Sequence, residues 1–116
     1  MARGSMVAGV ALALALVATP SAGHAGLLTA QQLHDHCQQG DRGGEGNVSQ
    51  VLCFGYTIGI LDSLSIRDLV CYPKGTTGGQ VVAATRKYLA RTVPHLGTRS
   101  ASAVVELMMI ELWPCK

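Results

Sequence analysis

Asn47-Val48-Ser49-Gln50-Val51-Leu52-Cys53-Phe54-Gly55-Tyr56-Thr57-Ile58-Gly59-Ile60-Leu61-Asp62-Ser63-Leu64-Ser65-Ile66 is the stretch that decides the fold. Valine, isoleucine, threonine and tyrosine are frequent in it, so a strand has to be considered. Its length decides against one, because strands run about 4–8 residues. Its start decides likewise: Asn47 stands three residues before Gln50, the spacing of a helix cap that pairs with the opening turn. The reading is a helix from about Val48 to Ile66. It is apolar nearly all round, which places it in the centre of a bundle. Gly55 and Gly59 lie one turn apart and would let a neighbouring helix approach closely. The expectation is close packing inside the monomer, with a dimer contact as the alternative.

The same cap chemistry marks two further helices. Thr29 precedes Gln32 by three residues, and Thr77 precedes Gln80 by three. Leu28 and Leu33 are placed to staple the first of them. Helix one is expected from about Ala30 to Gln39, with Ala30, Leu33 and Cys37 on one face and Gly40 ending it. Gly40 to Gly46 then reads as a flexible, solvated loop. Helix three is expected from about Gly78 to Thr92, with Val81, Val82, Thr85, Leu89 and Val93 inward and Pro94 stopping it. Helix four, about Ala101 to Leu112, offers Val104, Leu107, Met108, Ile110 and Leu112 to the core, and Pro114 stops it. The expected fold is all-α, a small bundle of four helices or slightly more.

Four cysteines, Cys37, Cys53, Cys71 and Cys115, fall within or beside these helices. An even count in a short exported chain reads as a disulfide framework, and no Cys-x-x-Cys pair exists to begin a zinc site. A hairpin of the first two helices brings Cys37 to Cys53. Helix three leaves from near Cys71 and helix four returns to Cys115. The expected pairs are therefore Cys37–Cys53 and Cys71–Cys115.

Upstream, Arg3 precedes an unbroken run of apolar residues and glycine from Val7 to Ala18. Thr19-Pro20-Ser21 breaks that run, and Gly23-His24-Ala25 puts small residues at a peptidase site. The run falls short of the ~20 residues a membrane span needs. Residues 1–25 are expected to be a cleaved signal peptide, leaving 26–116 as one helical domain in the periplasm, with no membrane association after cleavage. Beyond Arg3 the charges nearly balance, which gives no reason to expect nucleic acid.

The sequence offers little catalytic chemistry. His34, His36 and Cys37 are close, but residues two apart on a helix do not share a face, and a bonded Cys37 is no thiolate. His95 after Pro94 reads as a surface residue. Met108 and Met109 are adjacent, so one is expected in the core and the other half exposed. Glu106 is expected to meet a base on helix three. No phosphate loop, zinc helix or nucleophile elbow occurs. The expectation is a protein that is no enzyme and carries no metal or cofactor.

Cys53-Phe54-Gly55-Tyr56-Thr57-Ile58-Gly59-Ile60-Leu61-Asp62 resembles a Cys-x-Gly-Tyr-x-x-Gly-x-x-Asp signature. Cys71-Tyr72-Pro73, Gln80-Val81-Val82, Lys87-Tyr88-Leu89, Pro94 and Trp113-Pro114-Cys115 follow it in order. From about Leu33 to Cys115 the chain resembles the immunity proteins of type VI secretion amidase effectors, the Tai-type family. The resemblance implies a periplasmic helical protein that binds a peptidoglycan-cleaving amidase toxin and blocks its active site, often as a homodimer. It assigns Gly55, Tyr56, Gly59, Asp62, Pro73 and Pro114 to the family scaffold, with the four cysteines. Exposure alone nominates the contact segments as the three connections, and within them Asp41, Arg42, Glu45, Lys74, His95 and Arg99. The alternatives are a small periplasmic stress chaperone or an accessory subunit of an envelope complex. Three histidines downstream of residue 25 make a weak acid switch for a chaperone.

Overall fold

The computed structural model describes residues 27–44 and 46–116, together with Gly4. The expected signal peptide, its cleavage point after Ala25, and Glu45 lie outside the described residues. Among the described residues all regular structure is helical: α1 (Ala30–Arg42), α2 (Val48–Ile66), α3 (Gly78–Leu96) and α4 (Ala101–Leu112). An isolated bridge joins Thr29 to Ser100. Cys37 pairs with Cys53 and Cys71 with Cys115. This is the four-helix, twice-stapled architecture the sequence predicts.

The caps form as local chemistry requires. Thr29 and Thr77 each accept from the backbone N–H three residues on, and Gln32 and Gln80 reach back to the cap N–H. At α2 the reciprocity is shifted by one residue. Asn47 Oδ1 accepts from Gln50 N, but the Gln50 side chain takes the N–H of Gly46 instead of that of Asn47. The far end of α2 closes with Leu69 N donating to Leu64 O and Asp68 N to Ser65 O. Asp68 supplies the left-handed residue that this pair of bonds needs, at φ 56°.

Two punctuation residues act otherwise than the sequence reading expects. Gly40 is buried inside α1, which runs on to Arg42 and is capped by Gly43. A Cβ on Gly40 would lie 2.8 Å from Gln50 Cα, so the missing side chain lets α1 and α2 touch backbone to backbone. The solvated loop is correspondingly shorter than expected, and Asp41 and Arg42 belong to the last turn of a helix. Pro94 sits inside α3, which continues to Leu96. Proline that close to a helix end forfeits one bond, to the carbonyl four residues back, and the turn beyond it is held from outside. Gln31 N donates to Gly97 O, Ala30 N to Arg99 O, and Ala101 N to Leu28 O, so the α3–α4 turn clasps the start of α1.

These contacts set the directions. The end of α3 meets the start of α1, and Arg86 of α3 meets Asp41 at the end of α1. So α3 opposes α1 and runs parallel to α2. Parallel neighbours need a crossover, and Arg67 to Thr77 supplies it, fastened to the C-terminal tail by Cys71–Cys115 and by Cys71 N donating to Trp113 O.

The core gathers Leu33, Leu64, Val81, Leu89, Val105 and Met109, all shut off from solvent, around the Cys37–Cys53 bridge. Thr85 lies among them, its hydroxyl donating to Val81 O. Thr57 is equally buried, and its hydroxyl has no partner among the described residues. The inward face of α4 differs from expectation: Val105 and Met109 are buried beside Val104 and Met108, while Leu107, Ile110 and Leu112 are exposed. Glu106 faces Arg67 at 4.0 Å, beyond the end of α2, instead of a base on α3.

Candidate partner-binding surface

α2 is where sequence and structure part most. It buries only Cys53, Thr57, Leu61 and Leu64. Val48 (81% exposed), Val51 (61%), Phe54 (48%) and Ile66 (83%) are open to solvent. Gly55 and Gly59 lie on this outward side, and a Cβ at either would meet nothing within 4 Å. The glycines therefore do not serve the packing inside the monomer that the sequence reading expects. α2 is also long and apolar enough to cross a membrane by length and composition. It is nevertheless stapled to α1 and packs Leu61 and Leu64 in the core, so it is held as a helix of the bundle with an apolar side left exposed.

At one edge of that face Phe54 packs on Gly78, at the start of α3. A groove of about 260 Å³ opens there, with Phe54, Ile58, Asp62, Tyr72 and Thr77 among its walls. Tyr72 is braced edge-on by Trp113, the ring centroids 6.4 Å apart. That volume lies below the roughly 300–1,000 Å³ of small-molecule sites, and suits one side chain of a partner better than a metabolite. A second groove, between α3 and α4, is lined by Lys87, Tyr88, Arg91, Met108 and Glu111. The Arg91 guanidinium lies 5.9 Å from the Tyr88 ring centroid, which holds it in place.

Of the six nominated contact residues Glu45 lies outside the described residues, and the other five do not converge on one patch. Asp41 is tied to Arg86 at 2.7 Å, and Arg42 is exposed beside it. His95 and Arg99 are exposed at the opposite end of α1, a helix of 13 residues and so about 20 Å long. Lys74 is displayed by the turn from Pro73 to Thr76, in which Thr76 N and Oγ1 both bond Pro73 O and Gly75 takes φ 89°. His36 shares a hydrogen bond with Ser49 Oγ at 3.2 Å. No three His, Cys, Asp or Glu side chains among the described residues are grouped to hold a metal ion. Sequence reasoning placed α2 in the centre of the bundle and raised an outward contact at Gly55 and Gly59 only as the alternative. The signal of the open face was the apolar circumference itself, of which the neighbouring helices cover only part.

The described residues thus form a helical scaffold stapled by two disulfides, with an exposed apolar face along α2. The chain belongs to the Rap1a immunity proteins, whose family model matches residues 29–115. No curated protein and no solved structure matches it. Membership makes it an immunity protein, a class whose work is to bind a toxin effector.

Proposed function

We propose that this chain is a periplasmic immunity protein that binds and blocks a peptidoglycan-cleaving amidase toxin delivered by type VI secretion, and that it has no catalysis of its own. The observation that carries the reading is the immunity-family match over residues 29–115. The amidase target is supported by the ordered signature from Cys53 to Asp62 and by Trp113-Pro114-Cys115. The periplasm is supported by two disulfides, which persist in oxidising compartments, and by the apolar leader-like run from Val7 to Ala18. A stapled scaffold loses little conformational entropy on binding, which suits a tight inhibitor.

The contacts are proposed at Asp41 and Arg42 at one exposed end, His95 and Arg99 at the other, and Lys74 on the crossover, with Glu45, which lies outside the described residues, named from the sequence alone. Calorimetric titration of the oxidised protein against exported amidases of the same source is the test, beginning with any encoded beside it. Nanomolar binding with loss of cell-wall cleavage is the expected result. Binding to none of them, or binding without inhibition, sinks the amidase reading. Charge reversal at each cluster then shows which end the toxin covers.

A homodimer through α2 belongs to the same proposal. Its support is the open stripe of Gly55 and Gly59 flanked by Val48, Val51 and Ile66. Replacing both glycines by alanine removes two helix-weakening residues, and should stabilise the isolated monomer by about 1–2 kcal/mol. The same change keeps a second helix at a distance, so association should weaken. Sedimentation and thermal melts of wild type and G55A/G59A read both effects. A wild type that stays monomeric at high concentration ends the dimer reading.

A further inference from the structure

We propose that Cys71–Cys115 is a thiol–disulfide exchange site that a dithiol reductant opens in the folded protein, while Cys37–Cys53 stays closed. The two bridges stand in opposite surroundings. Cys37 and Cys53 are 0% and 1% exposed, wedged between α1 and α2 where those helices touch backbone to backbone. Cys71 is exposed, on a crossover with no helix around it, and Cys115 is half-buried in the tail beyond α4. Exchange requires a thiolate to reach a sulfur, so access separates the pairs before any difference in intrinsic reactivity does.

The steps balance with the dithiol as the only co-reactant. Its thiolate attacks Cys71 Sγ, the disulfide breaks, and Cys115 leaves as a thiolate that takes a proton from water. The reagent's second thiol loses its proton and attacks its own sulfur in the mixed disulfide. That closes the reagent's disulfide and releases Cys71. Two electrons pass from the dithiol to the cysteine pair.

Opening this bridge changes one region only. The crossover is held to the tail by Cys71–Cys115, by Cys71 N to Trp113 O at 2.9 Å, and by the Tyr72–Trp113 ring contact. Val70 is its buried anchor, and Leu69, Tyr72, Pro73 and Lys74 are exposed. The helices keep their own clamps, Cys37–Cys53 between α1 and α2 and the clasp of Leu28 to Gln31 on Gly97 to Ala101. Reduction therefore frees the segment that displays Lys74 and walls the Phe54 groove, and leaves the four helices packed. Exchange at this bridge is a way to loosen one recognition segment while the scaffold persists.

The experiment treats the oxidised full-length protein with dithiothreitol, traps thiols at intervals with iodoacetamide, and maps them by mass spectrometry. Circular dichroism and amide hydrogen exchange are recorded on the same samples. Cys71 and Cys115 should be trapped faster than Cys37 and Cys53 by at least about a hundredfold, because the buried pair is reached only through rare opening. Helical signal should persist, with faster amide exchange confined to residues 67–77 and 113–116. Parallel labelling of all four cysteines, or labelling of Cys37 and Cys53 first, overturns the proposal. Loss of helical signal in step with the first labelling overturns it too. The C71S/C115S variant supplies a check without reductant: it should show the same confined gain in amide exchange, and protection unchanged from wild type contradicts the proposal.

Discussion

Replacing Cys37 and Cys53 together by alanine should remove most of the protein's stability. Loop entropy alone assigns about 3 kcal/mol to their 16-residue separation and about 4 kcal/mol to the 44-residue separation of Cys71 and Cys115. Burial reverses that order. The Cys37–Cys53 sulfurs fill the contact between α1 and α2, so deleting them also opens a void, at a further ~1–2 kcal/mol. The benefit of a long loop, by contrast, is weakly realised in measured series. A total of about 4–5 kcal/mol approaches the low end of what a small domain possesses, and corresponds to a fall in Tm on the order of 20 °C or outright unfolding. Thermal melts of C37A/C53A beside C71A/C115A decide it. A larger loss in the second variant would show that loop length outweighs burial here.

Gly40→Ala should destabilise by about 2 kcal/mol, although alanine in a helix interior ordinarily gains up to about 1 kcal/mol over glycine. The added Cβ would stand 2.8 Å from Gln50 Cα and 3.0 Å from Gln50 N. Both are backbone atoms, so no side chain can swing aside. The helices must part instead, one turn away from a bridge that holds them, and overpacking of this kind costs about 1–3 kcal/mol. Urea melts of Gly40→Ala and Gly55→Ala make a matched pair, the first losing and the second gaining. A gain in both would mean that the α1–α2 contact is looser than these distances describe.

The helix starts were legible because their signals are local. Thr29, Asn47, Thr77 and the residues three beyond them carry the information within one turn, and α2 and α4 begin and end where the sequence places them. The cysteine pairing was legible because a hairpin and a returning helix leave one economical arrangement. Gly40 was not, since a glycine ending a helix and a glycine admitting a neighbour both lack a Cβ, and only the neighbour distinguishes them. Pro94 misled for a related reason: its lost bond is made good by a turn that docks on α1, an event remote in sequence.

The phase of α4 slipped by one position because nearly all its residues are apolar, so periodicity does not favour Leu107 over Val105. The same weakness hid the free face of α2. The contact residues were least legible of all. A surface that recognises another protein uses ordinary exposed side chains, and neither Lys74 nor Arg99 differs in kind from a solvated charge.

Because Ala30 and Gln31 donate to carbonyls of Arg99 and Gly97, the opening turn of the first helix cannot be completed until nearly the whole chain is present. The α1–α2 hairpin needs only neighbours in sequence and can form early. A chain delivered from its N-terminus at about 5–20 residues per second would hold that hairpin for several seconds with its leading amide groups unpaired. Arrival of the turn before α4 then closes a loop spanning most of the domain, the slow kind of contact in a helical protein. The clasp of the α3–α4 turn on α1 is thus the long-range contact that ties the beginning of the domain to its last helix.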